Sequence, residues 1–415
     1  MDRQFTTRHD IVMAFAYAMN LISPEVENHH EKVAYLAYRL AETLGMNEQQ
    51  RTIAFFGGLL HDIGGVLMQE NISLADLALS AGQVASAGAA LLRSFPVTLP
   101  FAPAVRECQT PWQRLKKLRT TLKTPQRIGQ VVHLADAVTL LMCESEPALN
   151  QIAQVKEMIL SGGREEFSPE VLAAFETLCG QEAVWLDLMY RPQAFLELLP
   201  DNHLVTLDET VHLTEFMSKI IDFRRPFTAM HSAGVAATAA ALAKLSGMSE
   251  EECKMMRIAG YLHDIGKLKI PNEVLEKPGK LTEAEFNVIK EHAYYTWLLL
   301  KDVNGFGQIA DWASLHHEKL NGNGYPFHLK GEQFPLGARI MTVADIFSAL
   351  TEDRPYRKSM EKEQVIAILR EDAQRELLSQ RLVELLIGHY DPINAQRDTE
   401  SKAASRKYQE SLAAV

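Results

Sequence analysis

The chain has only four cysteines (Cys108, Cys143, Cys179 and Cys253), widely scattered and without a C-x-x-C pair. That count argues against both a disulfide scaffold and a zinc ribbon. Long apolar runs are also missing. The longest, Ile11 to Ile22, is interrupted by Asn20 and falls short of the roughly 20 residues that span a bilayer. The opening residues, Met1 to Arg8, show no signal-peptide pattern. These absences predict a soluble, cytoplasmic protein. Basic charge is in deficit as well, with Lys+Arg 42 against Asp+Glu 53 and a formal net charge of −11. Such a surface repels a polyphosphate backbone, so polymeric nucleic acid is not an expected partner. A small anion could still meet a local positive site. Alternating, β-branched stretches bounded by turns are scarce.

What is present is helix-forming sequence of ordinary globular composition, 47% hydrophobic and 23% charged over 415 residues. At roughly 150 residues per domain, two or three domains fit. Apolar residues recur at 3–4 spacing in Val33-Ala34-Leu36-Ala37-Leu40-Ala41-Leu44 and in Val235-Ala236-Ala239-Ala240-Leu242-Ala243. Gly45 and Gly247 stand where helix C-caps fall, and Asn47-Glu48 and Ser249-Glu250 stand where the next N-caps fall. The expected class is all-α.

An internal repeat organises these helices. Pro24-x4-His29-x3-Val33-Ala34 matches Pro226-x4-His231-x3-Val235-Ala236, and each copy reaches Leu-His-Asp-Ile-Gly, at 60–64 and 262–266, after the same interval. Leu-Ala-Asp at 134–136 parallels Val-Ala-Asp at 343–345. The expected division is a first domain over 1–205, a second over 206–390 and a helical or frayed tail over 391–415. The join falls in the polar stretch Leu199 to His203.

The second copy carries most of the histidines with chemical context: His231, the His263-Asp264 pair, His292, the His316-His317 pair, and Asp345 beyond them. Nitrogen and carboxylate donors together suit Fe, Mn, Zn, Co or Ni better than Ca or Mg. On a helix, His263 and Asp264 point about 100° apart, so they can flank a metal pair with the carboxylate bridging. Lys267, one turn on, adds charge where an anion would bind. Asn321-Gly322-Asn323-Gly324-Tyr325-Pro326 is a turn-forming segment in which Tyr325 offers a ring to stack on a base. His9, His203, His328 and His389 lack such context.

This ordered set resembles the HD-GYP subgroup of the HD superfamily. It runs from His231 through His263-Asp264-x-x-Lys267, His292, His316-His317-Glu318, Gly322-x-Gly324-Tyr325-Pro326 and Ala344-Asp345 to Asp353-Arg354-Pro355-Tyr356-Arg357, covering about residues 210–390. The resemblance implies tandem HD-type helical bundles and a metal-dependent phosphodiesterase that opens a cyclic dinucleotide, cyclic di-GMP first among them, to the linear dinucleotide. It implies one metal at His231, His263, Asp264 and Asp345, and a second at His292, His316, His317 and the bridging Asp264. Both would be divalent transition metals, Fe or Mn foremost, with Ni, Co or Zn as alternatives. Lys267, Arg354 and Arg357 would contact phosphate, and Tyr325 the substrate. Asp264 and Lys267 are the expected catalytic pair.

Two positions depart from the family pattern. Phe227 replaces a glutamate that brings some members a third metal, so two metals are expected here. Ser348 replaces an aspartate near the substrate, which leaves base preference open between cyclic di-GMP and cyclic GMP-AMP. A non-catalytic adaptor, docking a GGDEF-domain protein through the Gly-Tyr-Pro loop, is the alternative from another class.

The first copy keeps His29, His61, Asp62 and Asp136, a candidate vestigial one-metal site, but Gly65 stands in place of Lys267. Between Ala81 and Gln126 it has no His-His-Glu…Gly-Tyr-Pro block and no match for His292. A catalytically silent domain with a regulatory or structural role is expected.

Overall fold

The computed structural model describes residues 4–413 apart from 8, 9, 12, 15, 17, 19, 21–27, 68–73, 94–97, 119–122, 192–193, 199–203, 224–229, 276, 278 and 354–357. Two compact units emerge: one of residues 23–202 with 411–415, the other of residues 1–22 with 203–410. Apart from two short paired strands, the regular elements among the described residues are helices.

The unit of residues 23–202 contains α1 (His29–Thr43), α2 (Glu48–Leu60), α3 (Leu74–Arg93), α4 (Ala102–Glu107), α5 (Trp112–Leu118), α6 (Thr124–Leu141), α7 (Ala148–Gly162), α8 (Pro169–Cys179) and α9 (Glu182–Tyr190). The other unit is built from β1 (Gln4–Thr7), β2 (Leu204–Thr206), α10 (Leu207–Phe223), α11 (His231–Leu245), α12 (Glu250–Leu262), α13 (Asn272–Leu275), α14 (Glu283–Leu300), α15 (Gly307–Ser314), α16 (Leu336–Thr351), α17 (Lys362–Gln374), α18 (Gln380–Gly388) and α19 (Tyr390–Ala413).

One feature differs from the expected division. β1 pairs antiparallel with β2, Gln4 opposite Thr206 and Thr7 opposite Leu204, so the first residues of the chain join the second-half unit. The ladder hydrogen bonds between these strands draw β1 there. Of the two alternatives for the tail, the helical one is observed: residues 390–413 form a continuous helix, and Arg257 with Glu400 and Lys407 with Glu215 tie it back to α12 and α10.

Local chemistry explains why both copies turn the same corner. Gly45 (φ 66°) and Gly247 (φ 86°) adopt the left-handed conformation after α1 and α11, where any Cβ would be strained. The next helices open on capping boxes. The Asn47 side chain accepts from the Gln50 N–H at 2.9 Å and Ser249 Oγ accepts from the Glu252 N–H at 3.2 Å. α1 and α2 then close on each other because Gly58 lies against Ala34, where an added Cβ would stand 2.9 Å from the Ala34 Cα. Gly260 meets Ala236 in the same way in the second unit, more tightly still. Each close pair brings the C-terminal end of a helix, with His61 or His263 on it, against the N-terminal turn carrying His29 or His231. The shared outcome of this packing is a histidine-rich pole in each unit.

Candidate metal centres

His263 caps the C-terminus of α12 and Asp264 follows with φ −101° and ψ 8°, outside helix geometry, before a 3-10 turn over Ile265–Lys269. The chain therefore breaks between the pair rather than running through it as one helix. The break turns the Asp264 carboxylate inward, where it is buried. Its two oxygens look in different directions. Oδ2 lies 3.3 Å from His263 Nε2 and accepts from Lys267 Nζ, whereas Oδ1 lies 3.5 Å from His292 Nε2 and 3.8 Å from His316 Nε2. One carboxylate thus faces two sets of imidazoles.

The ring nitrogens are oriented by backbone. His263 Nδ1 donates to the Gly260 carbonyl at 2.8 Å, His316 Nδ1 to Ala313 at 2.6 Å, and His292 Nδ1 to Ile289. Each carbonyl belongs to a helix and lies three residues back along the chain. A proton held on Nδ1 leaves the Nε2 lone pair free and aimed at the pole, as metal-ligating histidines are arranged. His231 is held differently, Nε2 to Asp345 Oδ1 at 3.1 Å and Nδ1 to Glu352 Oε2 at 3.0 Å.

Electrostatics follow the same division. Burial alone would raise the Asp264 carboxyl, but the charges of His263 and Lys267 hold it well below the usual range. Burial, with the charge of Lys267, pushes His292 down to about 4, and burial with His263 takes His316 to about 3. These imidazoles are neutral near pH 7, the form that ligates. His231 goes the other way, to about 10, because the Glu352 and Asp345 carboxylates outweigh its burial.

The pole fits divalent metals on its own terms. His263 Nε2 and Asp264 Oδ1 are buried without hydrogen-bond partners, a costly state for polar atoms. His292 Nε2 and His316 Nε2 face each other at 3.4 Å, two lone pairs with no proton between them when both Nδ1 atoms carry theirs. His292, His316 and His317 converge within 4.8 Å, and so do His231, His263 and Asp264.

The Gly-Tyr-Pro loop borders this pole. Glu318, fully buried, accepts from the backbone N–H groups of Phe327 (2.7 Å), His328 (3.1 Å) and Leu329 (3.1 Å) and so pins the loop from beneath. Gly324 is required because a Cβ there would collide with the Glu318 and Lys319 backbone. The Tyr325 ring lies 4.8 Å from His317 and 6.1 Å edge-on to Phe286. Ser348 is fully buried, its Oγ 3.5 Å from Thr238 Oγ1 between α16 and α11, so it faces helix packing and not a ligand space. Phe227, Arg354 and Arg357 lie outside the described residues.

The first unit repeats part of this design. His61 Nδ1 meets the Gly58 carbonyl at 2.7 Å, and His61 Nε2 lies 3.1 Å from Asp62 and 3.6 Å from Asp136. His29 Nε2 lies 3.2 Å from Asp136 Oδ1. His29, His61 and Asp136 converge within 4.8 Å. The rest has changed. A Cβ on Gly64 would strike Val84 and Gly88 of α3, as one on Gly266 would strike His292 and Thr296 of α14. α3 is therefore the counterpart of α14, and Val84 occupies the place of His292.

Comparison with known proteins decides the family. The HD domain family matches this chain twice, over residues 26–141 and 215–379. The 3'3'-cGAMP-specific phosphodiesterase 1 of Vibrio cholerae is 30% identical over 388 residues, covering 90% of this chain and 89% of that protein. The chain belongs to the HD-GYP phosphodiesterases.

This HD-GYP protein is also 40% identical over 173 residues to the cyclic di-GMP phosphodiesterase response regulator RpfG of Xanthomonas campestris, which covers 41% of the chain and 46% of that relative. A crystal structure described as a cyclic GMP-AMP specific phosphodiesterase of V. cholerae (V-cGAP3) superposes with a TM-score of 0.63 at 22% identity. It covers 92% of this chain and 97% of that one, and it shares the fold.

Three residues of this HD-GYP protein escape a reading of the sequence. Glu352 fixes His231, yet the two are distant in the chain; only its place beside Asp353 hints at a role. Glu318 was visible as part of the His-His-Glu run but not as the anchor of the loop. His30, buried beside His29, carries no signal in the repeat, since its counterpart in the second copy is Ser232.

Proposed function

We propose that the unit of residues 1–22 and 203–410 binds two divalent transition metals and hydrolyses a cyclic dinucleotide to the linear dinucleotide. The observation that carries this reading is the Asp264 carboxylate, whose two oxygens face separate groups of imidazoles. His231, His263, Asp264 and Asp345 would hold one ion, and His292, His316, His317 and Asp264 the other, with Fe or Mn foremost and Ni, Co or Zn as alternatives.

Such ions, when bound, supply Lewis-acid charge for the phosphoryl oxygens and activate water at neutral pH. The protein's own residues do the rest. Nδ1–H bonds to backbone fix the imidazoles, Glu352 orients His231, and Lys267 is placed to turn from Asp264 toward an anionic phosphate. Tyr325, half-buried at the edge of the pole, offers its ring to a base. Arg354 and Arg357 would add further phosphate contacts. The unit of residues 23–202 is proposed to be catalytically silent, since Gly65 and Val84 stand where a phosphate contact and a ligand would be needed.

Two substrates are in view. The relatives named for cyclic di-GMP match only part of this chain, whereas a relative named for 3'3'-cGAMP matches 90% of it. That breadth places 3'3'-cGAMP first in the test. The experiment is an assay of the purified full chain, loaded with Fe or Mn, against both compounds with chromatography of the products. The linear dinucleotide from either is expected. Metal-loaded protein that opens neither would overturn the reading and favour an adaptor, for which GGDEF-domain partners could be sought by pull-down.

A further inference from the structure

The chain changes direction at Asp264, and the change frees backbone groups that a helix would have satisfied. In an unbroken helix the His263 carbonyl would accept from the N–H of Lys267, four residues on. Here the Lys267 N–H donates to the Asp264 carbonyl instead, at 2.9 Å. Thr296, fully buried on α14, takes up what is left. Its hydroxyl donates to the His263 carbonyl at 3.0 Å and accepts from the Gly266 N–H at 3.1 Å. One side chain thus holds the residue before Asp264 and the second residue after it. Threonine inside a helix commonly bonds back to the carbonyl four residues earlier, but this one reaches across to another segment. It can do so because a Cβ on Gly266 would stand only 2.7 Å from the Thr296 nitrogen.

The first-half unit makes the same corner without the hydroxyl. There the Gly65 N–H donates to the Asp62 carbonyl at 2.8 Å. The facing helix is α3, whose Gly88 lies four residues after Val84 as Thr296 lies four after His292. A Cβ on Gly88 would stand 3.1 Å from the Gly64 nitrogen, so Gly88 faces Gly64 as Thr296 faces Gly266. The copy without the imidazole is also the copy without the hydroxyl, and it still turns. The corner itself therefore does not call for Thr296. What the second copy has in addition is His292, one turn before Thr296 on the same side of α14, with its Nε2 3.5 Å from Asp264 Oδ1.

We propose that Thr296 is a positioning residue for the paired-metal site. By fastening both flanks of Asp264 to the helix that carries His292, its hydroxyl sets the spacing at which one carboxylate serves two ions. The inference rests on the two-metal reading of the second-half unit. Asp264 Oδ2 looks toward His263 and Lys267 while Oδ1 looks toward His292 and His316. A small rotation of the 263–266 corner would carry one oxygen away from its imidazoles. Metal–ligand distances tolerate only about ±0.2 Å, so a corner that merely folds is not yet a corner that bridges.

The test uses the full chain, stripped of metal and reloaded with Mn(II). Thr296→Val removes the hydroxyl and nearly keeps the shape, whereas Thr296→Ser keeps the hydroxyl. Electron paramagnetic resonance, metal titration, melting temperature and steady-state kinetics on 3'3'-cGAMP and cyclic di-GMP are compared. Wild type and Thr296→Ser should give the exchange-coupled signal of a carboxylate-bridged Mn(II) pair. Thr296→Val should lose that signal and bind the ions ~10–100-fold more weakly, as loss of an outer partner does. Its kcat should fall by a similar factor with KM little changed, and saturating metal should not restore the coupled signal. If Thr296→Val folds poorly, Thr296→Gly copies Gly88, which the first-half unit already packs at this corner, and the same losses are expected. A folded variant that keeps the coupled signal and kcat and only melts lower would overturn the proposal, as would a Thr296→Ser that fails as valine does. Wild type without a coupled pair would defeat the two-metal reading itself, before any variant is compared, and this inference with it.

Discussion

The two histidine poles share a scaffold and differ at its tips. In both, a left-handed glycine, a capping box and a glycine pressed against alanine deliver an i−3 carbonyl to the Nδ1 of His61 or His263. The differences sit on the neighbouring helices, where Val84 faces His292's position, Gly65 replaces Lys267, and Cys108-Gln109 follows α4 where His316-His317 follows α15. Backbone geometry that packs a bundle has outlasted the side chains that do chemistry. A carboxylate can bridge two ions only where ligands reach both of its oxygens. Asp264 Oδ1 faces His292 and His316, whereas among the described residues the imidazole paired with Asp62 is His61.

The largest test of that contrast is to remove each aspartate. Asp264→Ala should lower turnover by roughly 10³-fold or more, since several kcal/mol of ionic stabilisation are at stake, while Asp62→Ala should change turnover less than about twofold. Steady-state assays at matched metal loading decide it, and equal losses would erase the distinction between the poles. Next is Lys267→Gly, which copies Gly65. Loss of one charge-assisted phosphate contact should cost roughly 10²-fold in rate with metal content unchanged. Metal loss in parallel would show that Lys267 mainly compensates Asp264.

Glu352→Gln should act more gently, through His231. The imidazole keeps a partner but loses a charged one, and metal affinity should fall ~10-fold, within the range for outer ligands. Isothermal titration of the stripped protein would reveal it, and rescue of activity at high metal separates this from a folding defect. The smallest effect concerns the scaffold itself. Gly260→Ala and Gly58→Ala should each destabilise by ~1–3 kcal/mol, as overpacking does. Gly260 should suffer more, since its added Cβ comes closer to the facing alanine. Denaturant melts of the two variants give the order, and a reversed order would mean that α1 and α2 cannot yield as α11 and α12 do.

Much of this was legible in the sequence because it depends on local rules. Gly45, Gly247, Asn47 and Ser249 announce helix ends by conformational preference alone, and His231 to Asp345 announce a histidine-rich cluster that could hold metal by residue type and order. What escaped depends on contacts made across the chain. Glu352 reaches His231 from another helix end, and the equivalence of Val84 with His292 emerges only from the glycines that touch them. The His263-Asp264 break was hidden because a helical pattern continues smoothly through it. β1 was missed because four residues, Gln4 to Thr7, carry too little periodicity to call a strand. Without β2 opposite it, that segment has no reason to be extended.

The pairing of β1 with β2 also says something about how the chain is made. A ribosome releases residues 1–22 first, yet their partner strand at 204–206 appears only after the whole intervening unit has been synthesised. The early segment must wait, unpaired, while residues 23–202 emerge and fold as a body of their own. Closing the ladder across so long an excursion is entropically cheap, because loop cost grows only logarithmically with length, about 0.6 kcal/mol per doubling. The delay is the greater hazard. During it the first strand is an exposed edge able to pair with other nascent chains, so slowing translation after residue 202 should raise aggregation more than slowing it before residue 23.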